Sequence, residues 1–205
     1  MASGSGMNSD VPTHRGWYSR GYLPHRDEPG LTQFITFRLA DSMPKVIVQE
    51  WKRELRTLPD SEAKTQLQVR INHYIDGSSG SSVLRRPDVG GIVEQTLLNE
   101  DGTQYELLAW VVMPNHVHLL ARFKEVTQMP DVVKTWKGVS ARLINEVLQR
   151  RGRLWYREYF DRFIRDAEHF DRVVRYIEYN PVKAGLSPSA EAWPLSSARF
   201  RSPAD

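Results

Sequence analysis

The sequence predicts an α+β fold in which helices pack on one face of an antiparallel sheet. Apolar and polar residues alternate over residues 32–39, as they do in a half-buried strand. Two further strands, at residues 105–113 and 116–123, flank the dipeptide Pro114-Asn115, which is typical of a tight turn. Helical spacing occurs between the first strand and this pair, and again after it. The order strand, helix, strand, strand, helix, strand is that of a split βαβ, or ferredoxin-like, sheet.

The helices are predicted from apolar residues that recur every three or four positions. The first helix begins after Pro44 and stops at Pro59, because proline disrupts a helix interior. The last begins at Asp166, a good N-cap residue, and ends near Asn180-Pro181. Between them we expect helices at residues 61–76, 88–98 and 130–150, and an aromatic-rich strand at 154–164.

Composition sets limits on the class of protein. The 205 residues fit one domain with appendages, and a hydrophobic content of 40% is globular. Cysteine is absent, which excludes disulfides and thiolate metal sites and permits a reducing cytoplasm. No apolar run approaches the roughly 18 residues of a membrane-spanning helix.

Positive charge is concentrated in the second half of the chain. Residues 134–175 contain 11 Lys and Arg against 6 Asp and Glu, a local balance of 11 − 6 = +5. Aromatic residues are interleaved with these cations, a combination that suits phosphate contacts and base stacking. A solvated, arginine-rich surface explains the charge equally well.

Four segments are predicted along the chain. Residues 1–6 precede a second methionine, Met7, and have the composition of an expression-tag remnant. Residues 7–32 are polar and rich in Gly and Pro, which predicts an irregular N-terminal arm. The rest divides into a main domain at 33–186, with a helical insertion at about 60–100, and a Pro- and Ser-rich tail at 187–205.

A histidine pair, His116 and His118, directly follows the predicted turn. In a strand, residues two apart point to the same face, so the two imidazoles stand side by side. Imidazoles at that separation can share one divalent metal ion. A lone histidine is more often an ordinary core or surface residue, but this triplet after a turn favours a metal site. The spacing does not identify the metal ion or its other ligands.

The end of the last helix is the second candidate segment. At about 100° per residue, Tyr176 and Asn180 lie one turn apart on the same flank, and Tyr179 lies opposite the core. On spacing alone, Tyr176 is more simply a boundary residue that packs its ring and exposes its hydroxyl. The buried stripe of this helix is predicted to be Phe170, Val173, Val174 and Ile177.

Together these segments resemble a known family. Residues 113–118 are MPNHVH and residues 176–186 are YIEYNPVKAGL. Both resemble motifs of the HUH-type single-tyrosine transposases, and within them most of all the REP-associated tyrosine transposases, bacterial proteins linked to repetitive extragenic palindromes. Shorter agreements cover nearly the whole chain after Met7: RGYLPH at 20–25, FITFRL at 34–39, WKGVSAR at 136–142 and WPLSS at 193–197.

The resemblance implies a ferredoxin-like transposase domain over residues 33–186, with the histidines on a central strand and a tyrosine on a helix against them. It implies that Tyr176 is the nucleophile and that His116, His118 and Asn180 hold Mg²⁺ or Mn²⁺. The implied reaction is metal-dependent cleavage and strand transfer of single-stranded, palindromic hairpin DNA through a 5′-phosphotyrosine intermediate.

The resemblance also implies a partner, a REP-like hairpin with a 5′ guide tetranucleotide, bound by a monomer in the bacterial cytoplasm, away from membranes. Two other functions stay open: a non-catalytic hairpin DNA- or RNA-binding protein, and a hydrolase whose histidine-bound metal activates water. The residues expected to contact DNA, in the arm and in the basic stretch, are Arg15, Arg20, Tyr22, His25, Arg26, Lys134, Lys137, Arg142 and Arg172.

Overall fold

The computed structural model of the protein describes residues 14–19, 24–77 and 80–201. The strands are β1 (Gly16–Ser19), β2 (Pro24–Asp27), β3 (Thr32–Arg38), β4 (Tyr105–Val112), β5 (His116–Phe123) and β6 (Phe160–Phe163). The helices are α1 (Lys45–Glu54), α2 (Asp60–Asp76), α3 (Pro87–Leu98), α4 (Met129–Val147), α5 (Ala167–Glu178) and α6 (Asn180–Lys183). Short 3-10 turns lie at Leu55–Thr57, Val83–Arg85 and Ser197–Phe200. Within these ranges, no helix combines the length and the apolar character needed to cross a membrane.

The last four strands of the chain form one antiparallel sheet in the order β4-β5-β3-β6. The first of them along the chain, β3, therefore lies between the third and the fourth. This is the strand order of a ferredoxin-like sheet, so the predicted fold class is confirmed. The two central strands pair with Thr36 opposite His118 and Arg38 opposite His116.

Apolar layers cover both faces of the sheet. On one face α3 and α4 pack together through buried residues such as Val93 and Trp136. On the other face α5 packs against β4 and β5 through Ile177, and Trp193 of the tail joins the same layer. The prediction placed the helices on one face, which α3 and α4 do; α5 lies opposite because alternate residues of the same strands form a second apolar surface there.

The N-terminal arm contains regular structure in its described part. Strands β1 and β2 pair as an antiparallel ribbon, with Gly16 opposite Asp27. The ribbon is attached to the domain because the buried side chain of His25 binds Asp161 of β6. The expectation of an irregular arm is corrected here: pairing between two short strands outweighs the content of Gly and Pro.

The last strand is shorter than the predicted residues 154–164. In the preceding segment, backbone pairing is limited to an isolated bridge between Leu39 and Trp155. Leu154 and Trp155 are buried in the layer that α3 and α4 form. Side-chain packing, rather than a hydrogen-bond ladder, therefore holds the first half of this segment.

The last helix follows the prediction at its start and differs at its end. Asp166 caps α5, since its side chain accepts a hydrogen bond from the backbone of His169. The helix ends at Glu178, and α6 begins at Asn180 with Pro181 in its first turn. Proline is tolerated there because the first N–H groups of a helix have no partner within it. Asn180 therefore begins a new helical turn.

Candidate active site

The two histidines of β5 lie side by side, as their spacing predicts. Both rings are fully buried. The Nε2 atoms of His116 and His118 are 2.9 Å apart. Strand alternation thus directs two nitrogen atoms to one point on the face that α5 covers.

The other ring nitrogens have protein partners. Nδ1 of His116 donates to Oδ1 of Asn115 at 2.6 Å. Nδ1 of His118 pairs with Oγ1 of Thr36, directly across the sheet, at 2.7 Å. A partner on Nδ1 fixes the ring orientation and leaves Nε2 to face the centre, which is how metal-binding histidines are commonly held.

A carboxylate that the sequence did not single out completes the cluster. Asp76, at the end of α2, places Oδ1 3.1 Å from Nε2 of His118 and 3.5 Å from Nε2 of His116. The three ligand atoms lie within 4.8 Å of one another. No local pattern distinguishes Asp76 from the other 24 acidic residues of the chain, so only the tertiary structure identifies it.

The charge states of these groups suit a cation. Burial alone would raise the pKa of Asp76, but a hydrogen bond with His118, the charges of both histidines and a hydrogen bond from Tyr176 together lower it to about 2. Burial, followed by the neighbouring His118, holds the pKa of His116 well below its usual value, against the opposing charge of Asp76. At neutral pH the centre offers a carboxylate and a neutral imidazole.

Tyr176 lies against this cluster. Its hydroxyl donates to Oδ2 of Asp76 at 2.8 Å and is 3.3 Å from Nε2 of His118. Burial, and then the charge and hydrogen bond of Asp76, raise the pKa of this hydroxyl, so it stays protonated. Tyr179 is 58% exposed and points away from the centre. Of the two tyrosines, α5 therefore delivers only Tyr176 to the histidines, as the helical spacing predicts.

Asn180 has a buried side chain whose polar atoms are unsatisfied. Its amide approaches the Tyr176 hydroxyl closely enough to oppose the rise of that pKa, although the contact lacks the geometry of a hydrogen bond. Yet neither its Oδ1 nor its Nδ2 has a hydrogen-bond partner in the described chain. A buried amide without hydrogen bonds destabilises the fold. A cation bound by Oδ1 would remove part of this cost.

A family comparison matches the part of the chain that carries most of this centre. The family described as "Transposase IS200 like" matches residues 92–180. The match shows a similarity to this family over 89 of the 205 residues. The matched span includes both histidines, Tyr176 and Asn180, whereas Asp76 lies outside it.

Two curated proteins that resemble this chain carry the name that the motifs suggested. The REP-associated tyrosine transposase of Escherichia coli (strain K12) is 27% identical over 93 residues, which are 45% of this chain and 54% of that protein. A Haemophilus influenzae protein named as a candidate of the same kind is 28% identical over 103 residues, 45% of this chain and 58% of that protein. The chain thus spans little more than half the length of these relatives. The predicted resemblance to REP-associated tyrosine transposases is confirmed.

A solved structure supports the fold of this chain. The structure of a REP-associated tyrosine transposase bound to a REP hairpin covers 89% of this chain with a TM-score of 0.52 and 17% sequence identity. At this identity the likeness establishes a common fold.

The residues predicted to contact DNA fall into three groups. Arg20 and Tyr22 lie outside the described residues. His25 is fully buried and bound to Asp161, so it holds β2 to β6 and does not present its ring to a ligand at the surface. The side chains that are exposed or half-exposed are Arg15, Arg26, Lys134, Lys137, Arg142 and Arg172.

One of these cations lies beside the nucleophile candidate. Arg172 and Arg175 line a surface depression together with Tyr176 and Tyr179. Arg175 was not among the predicted contacts, although it is one helical turn from Tyr179. The depression gives the Tyr176 side chain a cationic approach from solvent.

Proposed function

We propose that the protein cleaves and rejoins single-stranded hairpin DNA in a metal-dependent reaction, with Tyr176 as the nucleophile. The observation that carries this proposal is the position of the Tyr176 hydroxyl, 2.8 Å from Asp76 and 3.3 Å from His118. A half-buried tyrosine in contact with a histidine and a carboxylate of one candidate metal cluster suits phosphoryl transfer to tyrosine.

The ligands of the cation are His116, His118 and Asp76, with Asn180 as a fourth. The fit rests on the convergent Nε2 and carboxylate atoms and on the unsatisfied amide of Asn180. Mixed imidazole and oxygen donors suit Mn²⁺, and Mg²⁺ accepts the oxygen donors. When bound, such a cation neutralises charge on the scissile phosphate and lowers the pKa of a nearby hydroxyl.

The side chains of this chain perform the remaining steps. Tyr176 is held by its hydrogen bond to Asp76 and attacks the phosphorus in line with the leaving oxygen. The bond from phosphorus to the DNA 3′-oxygen breaks, that oxygen takes up a proton, and the 5′-phosphate stays esterified to Tyr176. The tyrosine's proton leaves through Asp76, its hydrogen-bond acceptor. Because the ester bond is conserved, a DNA 3′-hydroxyl can reverse or redirect the step without ATP.

The proposed substrate is a REP-type palindromic hairpin with a single-stranded 5′ guide segment. The depression lined by Arg172 and Arg175 supports an anionic strand beside Tyr176. Exposed cations of α4, Lys134 and Arg142, extend the basic surface. The REP-associated tyrosine transposase of similar fold was solved bound to a REP hairpin, and we extend that partner to this chain.

A covalent-adduct assay tests the proposal. The protein is incubated with labelled hairpin-forming single-stranded DNA and Mn²⁺, and the products are separated in SDS. We expect a labelled band at protein size with the wild type and with Tyr179→Phe, and none with Tyr176→Phe or with chelator. Tyr179→Phe is the matched control, because it removes the same oxygen three residues away.

The other functions give different products in the same assay. Cleaved DNA without an adduct would indicate a hydrolase in which the metal activates water. Binding without cleavage or adduct would indicate a hairpin-binding protein. An adduct that survives Tyr176→Phe but not Tyr179→Phe would overturn the choice of nucleophile.

A further inference from the structure

A small cavity lies directly beside the histidine centre. It has a volume of about 130 Å³ and is lined by residues of β3, of α1 and α2, and of the segment that leads into β6. Thr36, which binds His118, forms part of its wall, and so does Ile75, the neighbour of Asp76. The cavity is smaller than the roughly 300–1,000 Å³ of drug-sized pockets. Its size and position suit one planar ring next to the reacting phosphate.

A buried arginine lines this cavity. Arg38 is 8% exposed, and its described polar contacts are Oγ of Ser42 at 3.0 Å and the carbonyl of Leu39 at 3.5 Å. No carboxylate of the described chain pairs with it, and its guanidinium stacks 3.9 Å from the ring centre of Tyr156. Burial lowers the pKa of Arg38, which reflects the cost of its unpaired charge. An anionic group entering the cavity would relieve this cost.

A carboxylate, that of Glu158, also lines this cavity. The side chain of Glu158 is 14% exposed, and its buried Oε2 has no hydrogen-bond partner in the described residues. Nε2 of His25 lies 3.8 Å from this oxygen, which is beyond hydrogen-bond distance. An ionised carboxylate only accepts hydrogen bonds, so it selects a ligand that presents N–H groups.

The geometry points to a nucleotide subsite in this cavity, in which Arg38 binds a phosphate and Glu158 reads the base of the nucleotide adjoining the attacked phosphodiester. Tyr156, 39% exposed at the mouth, offers a stacking surface for the base. The inference deepens the proposed function and rests on it, because it names how the strand at the centre is selected.

The chemistry of the acceptor defines the class of base. Cytosine, adenine and guanine each carry an amino group, and pairing of a glutamate with the cytosine amino group is a known mode of base recognition. Thymine carries carbonyl oxygens on both sides of its ring N–H, and these would face the carboxylate. The subsite therefore favours an amino-bearing base over thymine.

Equilibrium binding in chelator tests the subsite without any cleavage. A labelled hairpin carries a single-stranded extension, and each extension position in turn is C, A, G, T or abasic. Affinity is measured by fluorescence anisotropy at several salt concentrations. With the wild-type protein we expect one position at which thymine or an abasic site weakens binding about tenfold relative to the amino-bearing bases.

Protein variants separate the two contacts. Glu158→Gln should reduce the discrimination at that position, because an amide can both donate and accept. Arg38→Gln should weaken binding of extended hairpins about tenfold and reduce the salt slope by about 0.7, and should leave a blunt hairpin unaffected. Arg86→Gln is the matched control, since Arg86 is an exposed arginine paired with Asp88.

Several results would overturn the subsite. One is equal affinity for all four bases and the abasic site at every extension position, a result obtained with unmodified protein and therefore independent of how the variants fold. Another is an Arg38→Gln protein, folded by circular dichroism, that loses affinity equally for blunt and extended hairpins. Base discrimination in binding without any adduct would instead retain the subsite and reject the proposed cleavage.

Discussion

At the scale of single residues, the imidazoles of β5 depend on groups outside their own strand. Strand alternation places His116 and His118 on one face, but Asp76 reaches them from a helix that ends 40 residues earlier in the chain. The hydroxyl of Thr36 sets the orientation of His118 from the neighbouring strand. The centre is therefore assembled from one local pattern and two long-range contacts.

Metal binding by these side chains leads to a first prediction. Titration with Mn²⁺, followed by electron paramagnetic resonance, should show one tight site in the wild type. His116→Ala and His118→Ala should abolish it, and Asp76→Asn should weaken it at least about tenfold, because a charged ligand is lost. His73→Ala, an exposed histidine on the same helix as Asp76, is the control and should bind as the wild type does. Unchanged affinity in Asp76→Asn would remove Asp76 from the ligand set.

The hydroxyl of Thr36 gives a second prediction. Thr36→Val keeps the side-chain shape but leaves Nδ1 of His118 without its partner. Loss of such an outer contact commonly costs 10- to 100-fold in metal affinity, and we expect a loss of about that size in the Mn²⁺ titration. Thr135→Val, an exposed residue whose hydroxyl binds only the backbone of α4, should change nothing. Full affinity in Thr36→Val would contradict this role.

At the scale of elements, the position of helix α3 depends on how closely its backbone approaches its neighbours. Helix α3 approaches the Val83–Arg85 turn and the tail at Gly90, where a methyl group would overlap the carbonyl oxygen of Leu84 and Cδ1 of Leu195. The adjacent Gly91 faces open space. Close packing therefore requires glycine at position 90 of this helix, whereas position 91 has room for a larger side chain.

This pair of glycines leads to a third prediction. Gly90→Ala should destabilise the protein by about 1–3 kcal/mol, because the added methyl group forces neighbouring atoms apart. Gly91→Ala should leave stability unchanged or raise it by up to about 1 kcal/mol, since alanine favours the helix. Urea denaturation measures both. Similar effects of the two substitutions would mean that α3 does not approach the turn as described.

At the scale of the whole molecule, cations line two separate spaces near the candidate active site. The depression lined by Arg172 and Arg175 includes Tyr176, and the cavity lined by Arg38 includes Thr36, which binds His118. Within the described chain, the N-terminal ribbon is fixed to the domain by His25 and Asp161. A bound DNA strand can therefore meet cations in either space.

A fourth prediction follows from this arrangement. The protein should bind single-stranded, hairpin-forming DNA more tightly than a fully paired duplex of the same sequence, because stacking on exposed aromatic side chains requires unpaired bases. Affinity should fall about a thousandfold between roughly 50 and 200 mM salt if about six phosphates are neutralised. Filter binding across this salt range is sufficient. Equal affinity for the plain duplex at physiological salt would contradict the prediction.

The sequence by itself determined the features that follow from strand alternation and helical spacing. The alternation at residues 116–123 and the turn before it fixed the histidine face, and helical spacing placed Tyr176 apart from Tyr179. The order of elements was sufficient for the ferredoxin-like sheet. These predictions hold because strand and helix periodicities are properties of neighbouring residues.

Only the tertiary structure decided which distant groups meet the centre. Asp76 is 100 residues from Tyr176, and Arg38 and Glu158 come to one cavity from different strands and loops. It also assigned His25 to the interior and α5 to the face opposite α3 and α4. Such contacts depend on how whole elements pack, and the energy of a buried carboxylate or guanidinium is set by neighbours remote in sequence. No local pattern of residues carries that information.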